Sequence, residues 1–279
     1  ARGVAALQAA ARGDEELQAR VRQAQLLQLA GSPEAIVAYG AALTRAEALG
    51  DLGRQVVARN GLAALLLTQG DAAGARRSYE EALTLADQAK DVDGATTTLR
   101  NLARLHEELW EDGLAIGRLH EVVQRFDAAG RPLDAALARL QAGELLARTG
   151  QLPQAAQALQ AAGAAFQQEE AWTLVADTLM ALGNAFRDNG RTSEARAAYG
   201  QALELREQLA PVLGDYRPLA EALIESGSLI AEAGEPSGLE LLERALQLSE
   251  KAGERSMIRR SARALALALL AKGSVEPVR

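Results

Sequence analysis

Residues 176–209 read ADTLMALGNAFRDNGRTSEARAAYGQALELREQL. Leu179, Leu182, Gly183 and Phe186 recur at i, i+3, i+4 and i+7, the spacing of one apolar face of an α-helix. Gly190 then breaks the pattern, and glycine tolerates the left-handed backbone that ends a helix. Beyond it Ala195, Tyr199 and Ala202 open a second face with the same period. A connection this short forces the two helices to run antiparallel. The stretch therefore spells one helix–turn–helix unit, with small, large and aromatic residues at set positions.

The unit is repeated. Tyr39, Tyr79, Leu119, Leu159, Tyr199 and Leu242 follow one another in steps of 40, 40, 40, 40 and 43. Four residues before each stand Ala35, Ala75, Ala115, Ala155, Ala195 and Gly238, and three residues after stand Ala42, Ala82, Val122, Ala162, Ala202 and Ala245. A fixed period of this length marks a stacked solenoid, in which each unit packs only on its neighbours. The fold expected is all-α: a right-handed α-α superhelix of about six antiparallel helix pairs and a C-terminal capping helix, a single domain over 1–279. The pairs are expected at 14–50, 52–90, 92–129, 132–169, 171–210 and 216–252, behind a partial helix at 1–13 and ahead of the cap at 254–272. Gly31-Ser32-Pro33 is expected to start a helix with Ser32 as N-cap and Pro33 at the first helical position. Gly70-Asp71 marks the equivalent turn of the next pair. The segment 210–218 breaks the period and is expected to form a bent or lengthened loop, a tolerated insertion or a partner contact.

Composition narrows the chemistry. Of 279 residues 48% are hydrophobic, mainly Ala and Leu, both strong helix formers, and only 3% are aromatic. A net charge of −7 speaks against nucleic acid, which selects a basic stripe. The absence of cysteine excludes disulfides, thiolate nucleophiles and Cys-ligated zinc, and fits a cytoplasmic setting. The longest apolar run, 262–271, is too short for a membrane span. Abundant Ala, Leu and Arg with only three lysines point to a bacterial source. The chain opens at Ala1 rather than Met and is read as a fragment or processed product.

These residues resemble the tetratricopeptide repeat. The match is strongest in 176–209 and good in 56–89, through Leu62, Gly70, Ala75, Tyr79 and Ala82. It is weaker in 96–129, where Trp110 takes the turn-glycine position and Val122 the last alanine, while 136–169 keeps Gly143, Gly150, Ala155 and Ala162. The longer period resembles the subclass of kinesin light chains, Leu-Gly-Asn-type polarity adaptors and bacterial peptide-sensing regulators. That resemblance implies peptide or partner binding along a concave face lined by the first helices, often through asparagines. Asn60, Asn101 and Asn184 lie on first helices but at three different repeat positions, so a regular asparagine ladder is absent.

First-helix residues outside the apolar stripe should point into that concavity. The candidates are Asn60, Arg100, Asn101, Arg104, Glu108, Glu144, Arg148, Asp177, Asn184, Arg187 and Asp188. Asparagine can pair with both groups of a peptide bond, and arginine grips carboxylates. The competing reading is a solvated helix face with local pairs, Arg104–Glu108 and Glu144–Arg148 among them. His106 replaces a core aromatic and His120 is expected to be exposed; neither has metal-ligand spacing. Trp110 and Trp172 either anchor a partner or fill gaps between repeats. Adjacent carboxylates such as Glu107-Glu108 do not face each other on a helix, and no nucleophile motif or phosphate loop is present. The expectation is a non-catalytic scaffold without cofactor or metal, binding a protein or peptide and neither nucleic acid nor membrane, as a monomer or weak homo-oligomer. A ligand-sensing module of a larger regulator is the alternative.

Overall fold

The computed structural model describes residues 2–275, with side chains over 13–273. Its elements are helices throughout: α1 (Arg2–Leu29), α2 (Ala35–Leu49), α3 (Leu52–Thr68), α4 (Ala72–Ala89), α5 (Val92–Glu108), α6 (Asp112–Ala128) and α7 (Pro132–Arg148), then α8 (Leu152–Gln168), α9 (Trp172–Asp188), α10 (Thr192–Leu213), α11 (Arg217–Glu232), α12 (Pro236–Ala252) and α13 (Arg255–Val275). Two compact units are formed, Ala1–Ala138 and Arg139–Arg279.

The helix starts and stops follow local chemistry. Asp51, Asp71 and Asp91 cap α3, α4 and α5, their carboxylates accepting the N–H of Arg54, Gly74 and Gly94 at 2.9, 2.8 and 2.9 Å. Gly70, Gly150, Gly190 and Gly234 close first helices with φ of 85, 76, 72 and 79°. Trp110 occupies the same slot at φ 60°, a conformation that crowds any Cβ.

Three local expectations change. The N-terminal helix runs unbroken from Arg2 to Leu29, with no boundary near residue 13. Helix α2 begins at Ala35, because Ser32 caps a tight turn instead: its hydroxyl accepts from Glu34 N–H at 3.3 Å and its carbonyl from Ala35 N–H at 3.1 Å. The extra residues near 210 lengthen α10 rather than a loop. Pro211 falls inside the final turn and Gly214, at φ 68°, ends the helix.

The repeat positions form the core. Ala35, Ala75, Ala115, Ala155 and Ala195 are fully buried, as are Ala42, Ala82, Val122, Ala162, Ala202 and Ala245. Small residues are required where helices cross. A Cβ at Gly183 would stand 2.3 Å from the Tyr199 ring, and one at Gly238 would stand 2.3 Å from the Ala231 backbone nitrogen. Around these crossings pack the large residues, for example Tyr79 against Leu102 and Leu105 in the first unit, and Tyr199 against Leu229 in the second. Overfilling such a site costs about 1–3 kcal/mol.

Charge pairing follows the same period. In the first unit Arg125 meets Asp87 and Arg131 meets Asp93. In the second unit Arg187 meets Glu225, Arg196 meets Glu235, Arg244 meets Glu207 and Arg260 meets Glu221. Each pair joins residues about one repeat apart, so it staples neighbouring helix pairs. Within the first unit α3 packs on α1 and α5 as well as on α2 and α4, which makes the first helices one continuous face. Among the described residues no helix is long and apolar enough to cross a membrane.

Candidate functional site

The open face of α5 carries Thr97, Asn101, Arg104 and Glu108 one turn apart, and all but the half-buried Asn101 are exposed. On the neighbouring α3, Asn60 is held firmly. Its amide donates to the Val56 carbonyl at 3.0 Å and to Thr98 Oγ1 at 2.8 Å. Its carbonyl accepts from Asn101 Nδ2 at 3.0 Å. Asn60 and Asn101, at adjacent repeat positions on successive first helices, are thus brought together. Among the described residues nothing bonds the carbonyl oxygen of Asn101.

Arg104 lies 3.9 Å from Glu108, too far for a firm hydrogen bond, and its side chain is 59% exposed. The expected local pair is therefore weak. Beneath Arg104 sits the Tyr79 hydroxyl, which is buried and has no hydrogen-bond partner. The equivalent hydroxyls are satisfied: Tyr39 donates to Gln28 at 2.7 Å and Tyr199 to Asn184 at 2.6 Å. Fifteen residues before Tyr79 stands Ala64, where Asn184 stands before Tyr199, so the first helix offers Tyr79 no acceptor. Burial pushes the Tyr79 phenol above its ordinary pKa, with Arg104 opposing. Arg100 turns away from the open face, its guanidinium 5.4 Å from the Phe126 ring centroid.

In the second unit the candidates are mostly engaged with other helices. Asn184 accepts the Tyr199 hydroxyl, Asp177 pairs with the buried Arg206 of α10, and Arg187 pairs with Asp188 and with Glu225 of α11. Glu144 and Arg148 are exposed on α7. Desolvation raises the carboxyl pKa of Glu144, which Arg148 opposes and Asp177 reinforces. Desolvation also raises Asp177, against the pull of Arg206.

Residues outside the candidate set complete these contacts. Glu225, with 15% of its side chain exposed, bridges Arg187 and Arg260, and Thr98 anchors Asn60. The visible signal for Glu225 was a charge complementary to Arg187 one repeat away. His106 is buried at 3% exposure and shares a 2.6 Å hydrogen bond with Glu111, while His120 is exposed. Arg76 also reaches Glu111, at 2.7 Å, and His106 and Arg76 together hold its carboxyl below the usual range. Trp110 is 89% exposed, so it fills no gap between repeats. No group of three or more metal-ligating side chains gathers among the described residues.

The tetratricopeptide-repeat family model matches residues 56–87 and 175–210. No curated protein matches the sequence. Solved structures share its fold. A signal-transduction ATPase with a tetratricopeptide-repeat sensor from Pyrococcus horikoshii superposes with a TM-score of 0.73 at 13% identity, over 93% of this chain and 40% of that one. Kinesin-light-chain-like repeats from Podosopora anserina give 0.58 at 15% identity, over 72% and 97%. The Rap conjugation gene regulator of plasmid pLS20, in complex with the Phr* peptide, gives 0.52 at 12% identity, over 78% and 59%. Two helix pairs, α3–α4 and α9–α10, thus match the tetratricopeptide repeat in sequence, and the all-α repeat fold is shared with these structures.

Proposed function

We propose that this protein is an interaction scaffold whose first-helix face holds a peptide or a segment of a partner protein, without a chemical step. The observation that carries the reading is the arrangement on α3 and α5: an immobilised Asn60, an Asn101 with hydrogen-bonding capacity to spare, and an exposed, loosely paired Arg104 above an unsatisfied hydroxyl. Asn101, positioned by Asn60, keeps one N–H and its carbonyl and so can take the C=O and N–H of a peptide bond together, and arginine with a phenol can take a carbonyl or carboxylate oxygen. The acidic balance of the chain agrees with a protein partner rather than nucleic acid. Glu144, Arg148, Asp177 and Asp188 extend the polar surface available in the second unit. The working form is a cytoplasmic monomer or weak homo-oligomer.

A peptide library selected on the wild-type protein tests this. The selected peptides should lose at least about tenfold in affinity on an Asn101→Ala, Arg104→Ala double variant, the loss of roughly two neutral or one charged hydrogen bond. Unchanged affinity would move the site to another face. A second reading, a ligand-sensing module within a larger regulator, is favoured by the sensor and peptide-bound regulator named above and is compatible with the same face.

A further inference from the structure

We infer that the second unit contains a binding cavity for a small aromatic molecule carrying one polar group, with Ser226 as its hydrogen-bonding residue. A cavity of about 170 Å³ lies between α10, α11 and α12, lined by Tyr199, Gly200, Leu203, Ser226, Leu229 and Leu241 among others. Its origin is legible in the repeat. In the first unit Leu102 and Leu105 of α5 pack against Tyr79 of α4. The corresponding residues of α11 against Tyr199 of α10 are Ser226 and Leu229, three apart in the same way. Serine stands where Leu62, Leu102 and Leu182 stand in other pairs, and the missing isobutyl group leaves space.

The hydroxyl in that space is unsatisfied. Ser226 is 4% exposed and its Oγ has no hydrogen-bond partner. Other buried helical hydroxyls turn back to the carbonyl four residues earlier: Thr98 to Gly94, Thr178 to Leu174 and Ser249 to Ala245, each at 2.7 Å. Ser226 makes no such bond, and the residue lines the cavity. Interiors rarely keep voids larger than a water molecule, and an apolar engineered cavity of about 150 Å³ binds benzene. Here the wall is mostly aromatic and aliphatic; its polar side chains are Ser226, the half-exposed Arg196 already paired with Glu235, and Tyr199, whose hydroxyl is taken by Asn184, so the complementary ligand is a one-ring molecule with one donor or acceptor.

The experiment titrates the full chain with phenol and with toluene, its counterpart without the hydroxyl, by NMR and calorimetry. Saturable binding is expected, with phenol about three- to tenfold tighter than toluene, the ratio one neutral hydrogen bond supplies. Ser226→Leu should raise the thermal midpoint and abolish binding of both probes. Ser226→Ala, which keeps the space, should bind both with equal affinity. Absence of saturable binding to the wild type, equal affinity for the two probes, or retained binding in Ser226→Leu would each overturn the inference.

Discussion

Asn101 on α5 donates its side-chain amide to Asn60 on α3 at 3.0 Å, tying two successive first helices across their open face. The two residues are not equivalent. Asn60 also satisfies Val56 and the buried Thr98, whereas Asn101 spends one donor and keeps the rest. Asn60→Ala should therefore lower unfolding stability by about 1 kcal/mol and Asn101→Ala by roughly half that or less, read by urea denaturation. Peptide binding should show the opposite order per unit of stability lost.

Glu225 is the centre of a charge bridge, not one end of a pair. Its carboxylate lies between Arg187 and Arg260, the latter at 2.6 Å, and is the least exposed of the three. Glu225→Ala leaves two cations facing each other and should cost about 1–2 kcal/mol, while Arg260→Ala, nearly half exposed, should cost under about 0.5 kcal/mol. Denaturation at low and high salt checks this: the gap between the variants should narrow as salt rises.

Trp110 occupies a turn position that its counterparts fill with glycine, at φ 60° and without burial to offset the strain. Trp110→Asn, a residue that accepts the left-handed conformation, should raise stability by about 0.5–1 kcal/mol. A fall in stability on thermal unfolding would mean that the indole packs in solution.

Glu144 gives a pH dependence of definite sign. Its folded-state pKa lies above the unfolded value because desolvation disfavours the anion. The folded protein thus holds the proton longer than the unfolded chain, and stability is lost as pH rises through that raised pKa. Glu144→Gln should raise the thermal midpoint at neutral pH and leave it unchanged below about pH 4, where both states are protonated. A gain of equal size at both values would contradict an electrostatic origin.

The fold was legible because the crossings demand small residues. Ala75 and Ala82 are fully buried, Gly183 and Gly238 have no room for a Cβ, and the period exposes all four. The lengthened α10 was not legible. Pro211 reads as a helix breaker, yet the final turn tolerates it and the stop comes only at Gly214. Helical position alone put Asn184, Asp177 and Arg187 on the candidate face. Their partners Tyr199, Arg206 and Glu225 are fifteen or more residues away and depend on helix crossing geometry, which no local pattern encodes. The pairing of Asn60 with Asn101 is hidden in the sequence for the same reason: the two stand at adjacent, not identical, repeat positions, and only the helix crossing brings them together.

The most direct test places a photo-crosslinking side chain at position 104 on α5 or, in a separate variant, at the exposed position 124 on α6, and maps where a library-selected peptide attaches. The account predicts crosslinking from position 104, blocked by excess unlabelled peptide, and none from position 124. Crosslinking from 124 without any from 104 would contradict recognition by the first-helix face.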